Sequence, residues 1–575
     1  MHSFVSRPAA PFLASWALIA LTLSILWLDA RGQNFLNCDM ECGETALAVR
    51  AAVEFANHGL KFGLLENLGT IEAPMLYTHS VNLGSMSLVL LEALGVHDFS
   101  YQALLPLFAY GLGLYYVFLT VRAVTHSDLC ALLTLLMFAT TYWAVGAFAF
   151  NALRAWHTLA FFAVTYHSIQ VASGSRLSRQ KIGLGCGAFI AFGCGYDFWV
   201  ICLFVALTIL VFFSDNLRLR NLLMRASLIS LFFGLPFAVR QLHIAYFLGF
   251  TYWYHDFIYS VAIKVPYATK LISIPSIEEI DAYYRSQGVL RPPALPTSSV
   301  QEIFFTLRHM VTAVTLPRWG WLTLLTYLCV LGASFGPLRS TRIGAFGAAL
   351  LLPLSIGVAL GLALVAPFSL HVYFKHEFPL IGFLLLLAKG IVLYALVTSA
   401  INAGKWRFAA AAALVLYTAD TALTHWNNAA NGLYSNLEWR RFLESRRDVV
   451  AAAYVQNIIW QEAASVIGLD ERQLSRMTYD RLTRSDATYL IYQPVGRLVD
   501  FDSPVPVCSW RDWLTHFLAR TREQSGVSCI YGFPLPAEAK SEPSLDEFVR
   551  SAPEYRLVER SNVGIGYVIL SRAHQ

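Results

Sequence analysis

Long apolar runs separated by short polar connections dominate the chain up to about residue 425 and then stop. A run of about 20 apolar residues is what an α-helix needs to cross a bilayer. Such runs fall at Pro11 to Leu28 and near 103 to 121, 128 to 146, 151 to 171, 182 to 195, 198 to 213, 227 to 248, 317 to 335, 343 to 365, 377 to 399 and 408 to 425. The pattern predicts a polytopic α-helical membrane protein of about 11 transmembrane helices. The first run has Arg7 before it, Asp29 after it and no small-residue cleavage site, so it reads as an uncleaved span. The runs 182 to 195 and 198 to 213 are short and meet at Gly195-Tyr-Asp-Phe198, which predicts a hairpin bent toward the outer face. Asp197 at that bend is either a solvated interfacial acid or a functional one.

Lys and Arg collect on the cytoplasmic side of membrane proteins, which lets the count be checked. The basic connections carry Arg122; Arg176, Arg179 and Lys181; Arg218, Arg220 and Arg225; Arg339 and Arg342; Lys405 and Arg407. With eleven spans and the N-terminus inside, all of these fall in the cytoplasm. The acidic first loop, the connection from about 249 to 316 and the C-terminal part then lie outside. Val81 to Val96 is apolar but short and contains Glu92. If it crossed, the basic loops after it would change sides, so it is predicted to be a juxtamembrane or re-entrant helix of the first loop.

From about Asn427 the charge rises and strand-like patterns appear at Ala451 to Ile459 and Ala487 to Tyr492, with a hairpin over Tyr555 to Leu570 turning near Gly564. Residues 427–575 therefore read as a small extracytoplasmic α/β domain after a transmembrane domain of residues 1–426. It carries no glycine-rich phosphate loop, metal-ligand cluster or nucleophile elbow.

Composition agrees: 56% of residues are hydrophobic and 14% charged, against roughly a quarter charged in a soluble protein. The net charge of +5 is small and scattered, so nucleic acid is not an expected partner. Cys186, Cys194 and Cys202 lie in apolar segments and read as small core residues. Cys38 with Cys42 and Cys508 with Cys529 are candidate disulfides if their loops lie outside.

The polar interlude from Asp29 to His79 holds the chemistry-bearing residues. Asn37-Cys-Asp-Met-Glu-Cys-Gly-Glu-Thr45 packs Asp39, Glu41 and Glu44 together just before a helix-spaced run that ends at His58-Gly59. A carboxylate here can cap that helix. Three acids exceed what a cap needs, and acids at a membrane face are costly unless used.

The order of an acidic first loop, the helix Glu44-Thr-Ala-Leu-Ala-Val-Arg-Ala51, then Tyr77-Thr-His79 leading into an apolar helix resembles the GT-C superfamily of membrane glycosyltransferases. The likeness is greatest to the branch of protein O-mannosyltransferases and lipid A aminoarabinose transferases, and it runs to about residue 425. The family's Asp-Glu falls on Gly43-Glu44, which shifts the aspartate's burden to Asp39 or Glu41. In Phe150-Asn-Ala-Leu-Arg-Ala-Trp-His157 the family arginine maps to Arg154, and His157 stands roughly where the family has an acid. In His371-Val-Tyr-Phe-Lys-His-Glu-Phe-Pro379, Tyr373 and Pro379 fit the family pattern, with Lys375 or His376 as substitute cations.

The resemblance implies inverting transfer of a sugar from a polyprenyl-phosphate carrier to a lipid, glycan or protein acceptor at the outer membrane face. Such chemistry needs a general base, for which Asp39, Glu41 and Glu44 are the candidates. It needs cations or N–H donors for the departing carrier phosphate, for which Arg154, Arg240, Lys375 and His376 are the candidates. His79, His157 and Tyr373 complete the substrate-binding set. The carboxylate count alone does not demand a metal, although a divalent cation bridging carboxylate and phosphate is compatible. Each residue has a plainer reading: Arg154 and Arg240 snorkel at the interface, and the aromatics of Thr251-Tyr-Trp-Tyr-His-Asp-Phe257 anchor at the headgroups. The competing class is a transporter or flippase, which predicts paired halves with broken helices and intramembrane charge. A non-catalytic scaffold displaying the outer domain is a third. The chain has no Asn-X-Ser/Thr sequon, which does not exclude a eukaryotic secretory lumen; a bacterial inner membrane is the default expectation.

Overall fold

The structure is a computed structural model. It describes residues 10–32, 65–66, 75–76, 104–139, 152–174, 177–214, 219–264, 320–369 and 374–402. It also describes isolated residues between 83 and 101 and between 408 and 449, and strands at 453–456, 476–477, 489–492, 555–561 and 567–572. The chain divides into two compact units, one of residues 1–34, 76–298 and 310–429, the other of residues 35–75, 299–309 and 430–575.

In the helical unit the elements are α1 (Ala10–Gly32), α2 (Leu104–Thr125), α3 (Asp128–Ala139), α4 (Ala152–Ala172), α5 (Ser178–Gly193), α6 (Tyr196–Phe213), α7 (Leu219–Leu248), α8 (Phe250–Lys264) and α9 (Gly320–Ala333). The short α10 (Arg342–Phe346), a π-helical turn (Gly347–Leu351) and α11 (Leu352–Ser369) make one composite rod, and α12 (Phe374–Asn402) follows. Among the described residues, five stretches are long and apolar enough to cross a membrane: Leu104–Thr125, Tyr196–Phe213, Leu219–Leu248, Arg342–Leu364 and Leu380–Ile401. The protein is thus a polytopic, mainly helical integral membrane protein. Helices occupy the first ten apolar segments read from sequence. In the last, only Phe408, Ala411, Ala412 and Val415 are described, all helical.

Arg122 and Arg225, from two of the basic connections, mark one end of the bundle. There Arg122 of α2 pairs with Asp128 at the start of α3 and lies 4.3 Å over the Phe12 ring of α1. At the same end Arg225 of α7 donates to the Ala172 carbonyl that closes α4. It also lies 3.5 Å from the Ser214 hydroxyl after α6. These contacts explain why α7 begins at Leu219, ahead of the expected 227: Arg220 and Arg225 interrupt the hydropathy but not the helix.

With no hydrophobic gain from helix meeting helix in lipid, close backbone approach through small residues holds such bundles. Gly357-Val-Ala-Leu-Gly361 of α11 supplies it against α6. A Cβ on Gly357 would stand 2.6 Å from the Cα of Val205, and one on Gly361 would stand 2.7 Å from that of Ile201. Cys194 and Cys202 are buried as expected, whereas Cys186 is exposed on the face of α5.

The Val81 to Val96 segment is helical at Leu83, Ser87, Leu90 and Leu91. It ends in a glycine cap: Leu94 N–H bonds the Leu90 carbonyl at 3.1 Å, Val96 N–H bonds that of Leu91 at 2.9 Å, and Gly95 has φ +82°.

In the second unit, five strands form a mixed sheet in the order β4-β3-β5-β7-β6, from β3 (Ala453–Gln456), β4 (Arg476–Met477), β5 (Tyr489–Tyr492), β6 (Tyr555–Ser561) and β7 (Tyr567–Arg572). The chain's first two strands, β1 (Leu65–Glu66) and β2 (Met75–Leu76), form a separate pair. β3 is parallel to β4 and β5, whereas β7 is antiparallel to β5 and β6. Strands β3, β5 and the β6–β7 hairpin lie on the segments whose patterning reads as strand; β4 is too short to leave a pattern. A bulge between Leu557 and Glu559 interrupts the β6 ladder, and Glu559 pairs with Arg446 at 2.9 Å.

Candidate functional site at the hairpin end of the bundle

The end opposite the basic connections is built around the turn between α5 and α6. Only Cys194 and Gly195 join these helices, and Gly195 adopts φ +129°, ψ +151°, a region that essentially only glycine enters. The expected hairpin is therefore present, and it starts α6 with Tyr196 and Asp197 in the first turn. Asp197 is half-buried there, where a carboxylate meets the positive end of the helix dipole.

Beside the turn runs the C-terminal half of α7. Pro236 lies inside this helix and removes its hydrogen bond to the Phe232 carbonyl. One turn further on, Arg240 is only 2% exposed, and its Nη1 lies 3.0 Å from Nδ1 of His243. A guanidinium only donates, so Nδ1 of His243 accepts. Gln241 donates from Nε2 to the Tyr196 hydroxyl at 3.2 Å, and its Oε1 accepts from Nε1 of Trp253 in α8 at 2.9 Å. Trp199 stacks parallel on Phe237 with ring centroids 5.9 Å apart, and Phe192 meets Trp199 edge-on. The indole N–H groups of Trp156 and Trp199 are buried and have no hydrogen-bond partner among the described residues. The end therefore gathers a buried cation, aromatic faces and donors with capacity left over.

Of the residues nominated from sequence, His157 lies in α4 at this end. It is fully buried, with its ring edge-on to Phe198 at 4.3 Å. Arg154 is in the first turn of α4, and Lys375 and His376 are in the first turn of α12, by backbone; their side chains lie outside what is described. Asp39, Glu41, Glu44, His79 and Tyr373 also lie outside the described residues, as do both candidate disulfides. Among the described residues no cluster of His, Cys, Asp or Glu has the makings of a metal site. Sequence reasoning named Arg240 but missed Gln241, His243 and Trp199. The available signal was the polar group Arg240-Gln-Leu-His243 inside an otherwise apolar span.

No family model matches this sequence, and no curated relative does. Solved structures do, among them an oligosaccharyltransferase and ArnT. One is the Archaeoglobus fulgidus oligosaccharyltransferase in its apo form, at 11% identity and TM-score 0.48 over 95% of this chain and 80% of that one. The oligosaccharyltransferase AglB from the same organism, in complex with an inhibitory peptide and a dolichol-phosphate, is similar at 12% identity and TM-score 0.44, over 82% and 69%. ArnT from Cupriavidus metallidurans, bound to undecaprenyl phosphate, is similar at 14% identity and TM-score 0.38, over 96% and 97%. At these scores the likeness is one of overall course, and the site is argued from this chain's own residues.

Proposed function

We propose that the protein transfers a sugar from a polyprenyl-phosphate carrier to a lipid, glycan or protein acceptor, with inversion, at the outer face of a membrane. In this reading eleven helices span, the basic end faces the cytoplasm, and the hairpin end and residues 427–575 face outward, in a bacterial inner membrane. The observation that carries it is Arg240: a guanidinium 2% exposed, beside His243, at the end away from the basic connections. Taking a cation out of water costs several kcal/mol, and an anion brought to it recovers part of that cost. A carrier phosphate gains charge as it leaves, so a cation fixed in place stabilises the transition state more than the ground state.

Asp39, Glu41 or Glu44 acts as the base that takes the acceptor's proton. Arg154, Lys375 and His376 add positive charge for the phosphate, and His79, His157 and Tyr373 shape the substrate pocket. A divalent cation is compatible with such a set of acids. The test is turnover of labelled polyprenyl-phosphate sugars by detergent-purified protein, wild type beside Asp39→Ala, Glu41→Ala and Glu44→Ala. Removal of the base should slow release of polyprenyl phosphate by about 10²-fold or more. Undiminished release in all of the variants would reject the loop acids as the base.

One observation favours transport instead. Lys389 is 5% exposed within Leu380–Ile401, and a charge at that depth is a mark of solute pathways. Movement of a lipid-linked or small solute across sealed vesicles, lost in Lys389→Met and with no sugar transferred, would decide for that class.

A further inference from the structure

We propose that Gln241 is a positioning residue, whose amide clamps α8 and the start of α6 onto α7 and thereby fixes the direction in which Arg240 and His243 present positive charge. The clamp follows from the local geometry. An indole N–H only donates, so the 2.9 Å contact with Trp253 fixes which end of the Gln241 amide is the oxygen. Nε2 must then donate to Tyr196 at 3.2 Å. One side chain thus joins three helices.

The arrangement needs a tie. α7 has lost a rung at Pro236, and α8 is separated from it by Gly249 alone, at φ +90°. Successive helix residues point about 100° apart, so holding Gln241 prevents α7 from turning about its axis and sets the bearing of Arg240 next to it. Trp253 is a firm anchor for this purpose, tilted against Phe250 at 5.0 Å and stacked on Phe257 at 5.7 Å. The plain alternative is a structural bond with no bearing on the site. The inference rests on the transfer reading for the identity of the anion that Arg240 meets, but not for the clamp itself.

Two readouts test it. Emission from Trp253, isolated by difference against Trp253→Phe, reports the clamp without any substrate. KM and kcat for a labelled polyprenyl-phosphate sugar report its consequence. Gln241→Leu removes both bonds; it should shift the Trp253 emission and lower kcat roughly tenfold with KM little changed. Gln241→Glu keeps the acceptor for the Trp253 N–H and should restore the emission. Should Gln241→Leu fold poorly, Tyr196→Phe removes one bond from the other side while keeping the ring; it should lower kcat about threefold. Emission and kcat both unchanged in Gln241→Leu would overturn the clamp. Emission that shifts with kcat constant would overturn its role in presenting charge to the transition state. A wild-type protein that turns over no carrier sugar would overturn the transfer reading, and the emission result would still decide the clamp.

Discussion

Two buried polar clusters sit at opposite ends of the helical unit, and they differ in what they leave over. At the basic end, His167 of α4 lies 3.0 Å from the Tyr116 hydroxyl through Nε2 and 2.6 Å from Oε1 of Gln180 through Nδ1. A carbonyl oxygen only accepts, so Nδ1 carries the proton, Tyr116 donates to Nε2, and both ring nitrogens are satisfied. Gly183 of α5 closes the space, since a Cβ there would overlap the His167 ring. At the hairpin end, Arg240, Gln241 and His243 are also engaged. There the buried indole N–H groups of Trp156 and Trp199 still lack acceptors among the described residues. A network whose members are satisfied by one another locks helices together, whereas one with a buried cation and donors to spare can meet a ligand. Spare capacity alone does not separate lock from site, since the Thr165 and Ser168 hydroxyls of α4 are also buried without a partner among the described residues; the buried cation Arg240 at the hairpin end does.

The contrast is most exposed to failure at Arg240. Arg240→Gln should lower turnover of a polyprenyl-phosphate sugar by about 10²-fold, the size of losing one preorganised donor to a developing anion. The thermal midpoint should move little by comparison. Equal losses of turnover in Arg240→Gln and in a variant of the basic-end cluster, measured per folded molecule, would erase the distinction. Next in size is Gly183→Val. The added methyls must displace the His167 ring, and overpacking of this kind costs about 1–3 kcal/mol. The expected result is a lower midpoint and yield with turnover per folded molecule retained. Gln180→Leu is smaller again. It leaves the His167 Nδ1–H without its acceptor at a cost of about 1–2 kcal/mol, read as a lower midpoint in detergent.

Much of the helical architecture is legible in the sequence because the bilayer demands long apolar runs, and the α5–α6 hairpin is legible because Gly195 stands between two of them. The close of the Val81 to Val96 segment is readable in the same way, from Gly95. Less legible is where a helix starts when charged residues ride on it. Arg225 caps a neighbouring helix from within α7, a use that no hydropathy window registers. The Gly357 and Gly361 spacing is written plainly in the chain, but its partner surface at Ile201 and Val205 is about 150 residues away and leaves no local mark. The candidate site shows the same division. His157 is conspicuous in sequence, whereas the Phe198 ring it packs against comes from another helix. Gln241 is inconspicuous, because its role depends on Tyr196 and Trp253 arriving from other helices.

The smallest expected effect concerns the outward face of α7, where Ala226, Ser230, Gly234 and Ala238 recur every four residues along a shallow groove bordered by Leu223, Leu231 and Leu235. A Cβ on Gly234 would meet nothing within 4 Å, in contrast to Gly183, where it would strike a ring. Gly234→Ala should therefore raise stability by about 0.4–1 kcal/mol, and the midpoint slightly with it, because it reduces the freedom of the unfolded backbone without creating a clash. The paired measurement of Gly183→Ala and Gly234→Ala sharpens the comparison, since both replace a helical glycine with the same residue and differ only in what stands opposite. If lipid covers the groove, the two midpoints move in opposite directions. If Gly234→Ala lowers the midpoint as Gly183→Ala does, a helix packs closely on that face in the membrane, and the groove is a protein contact.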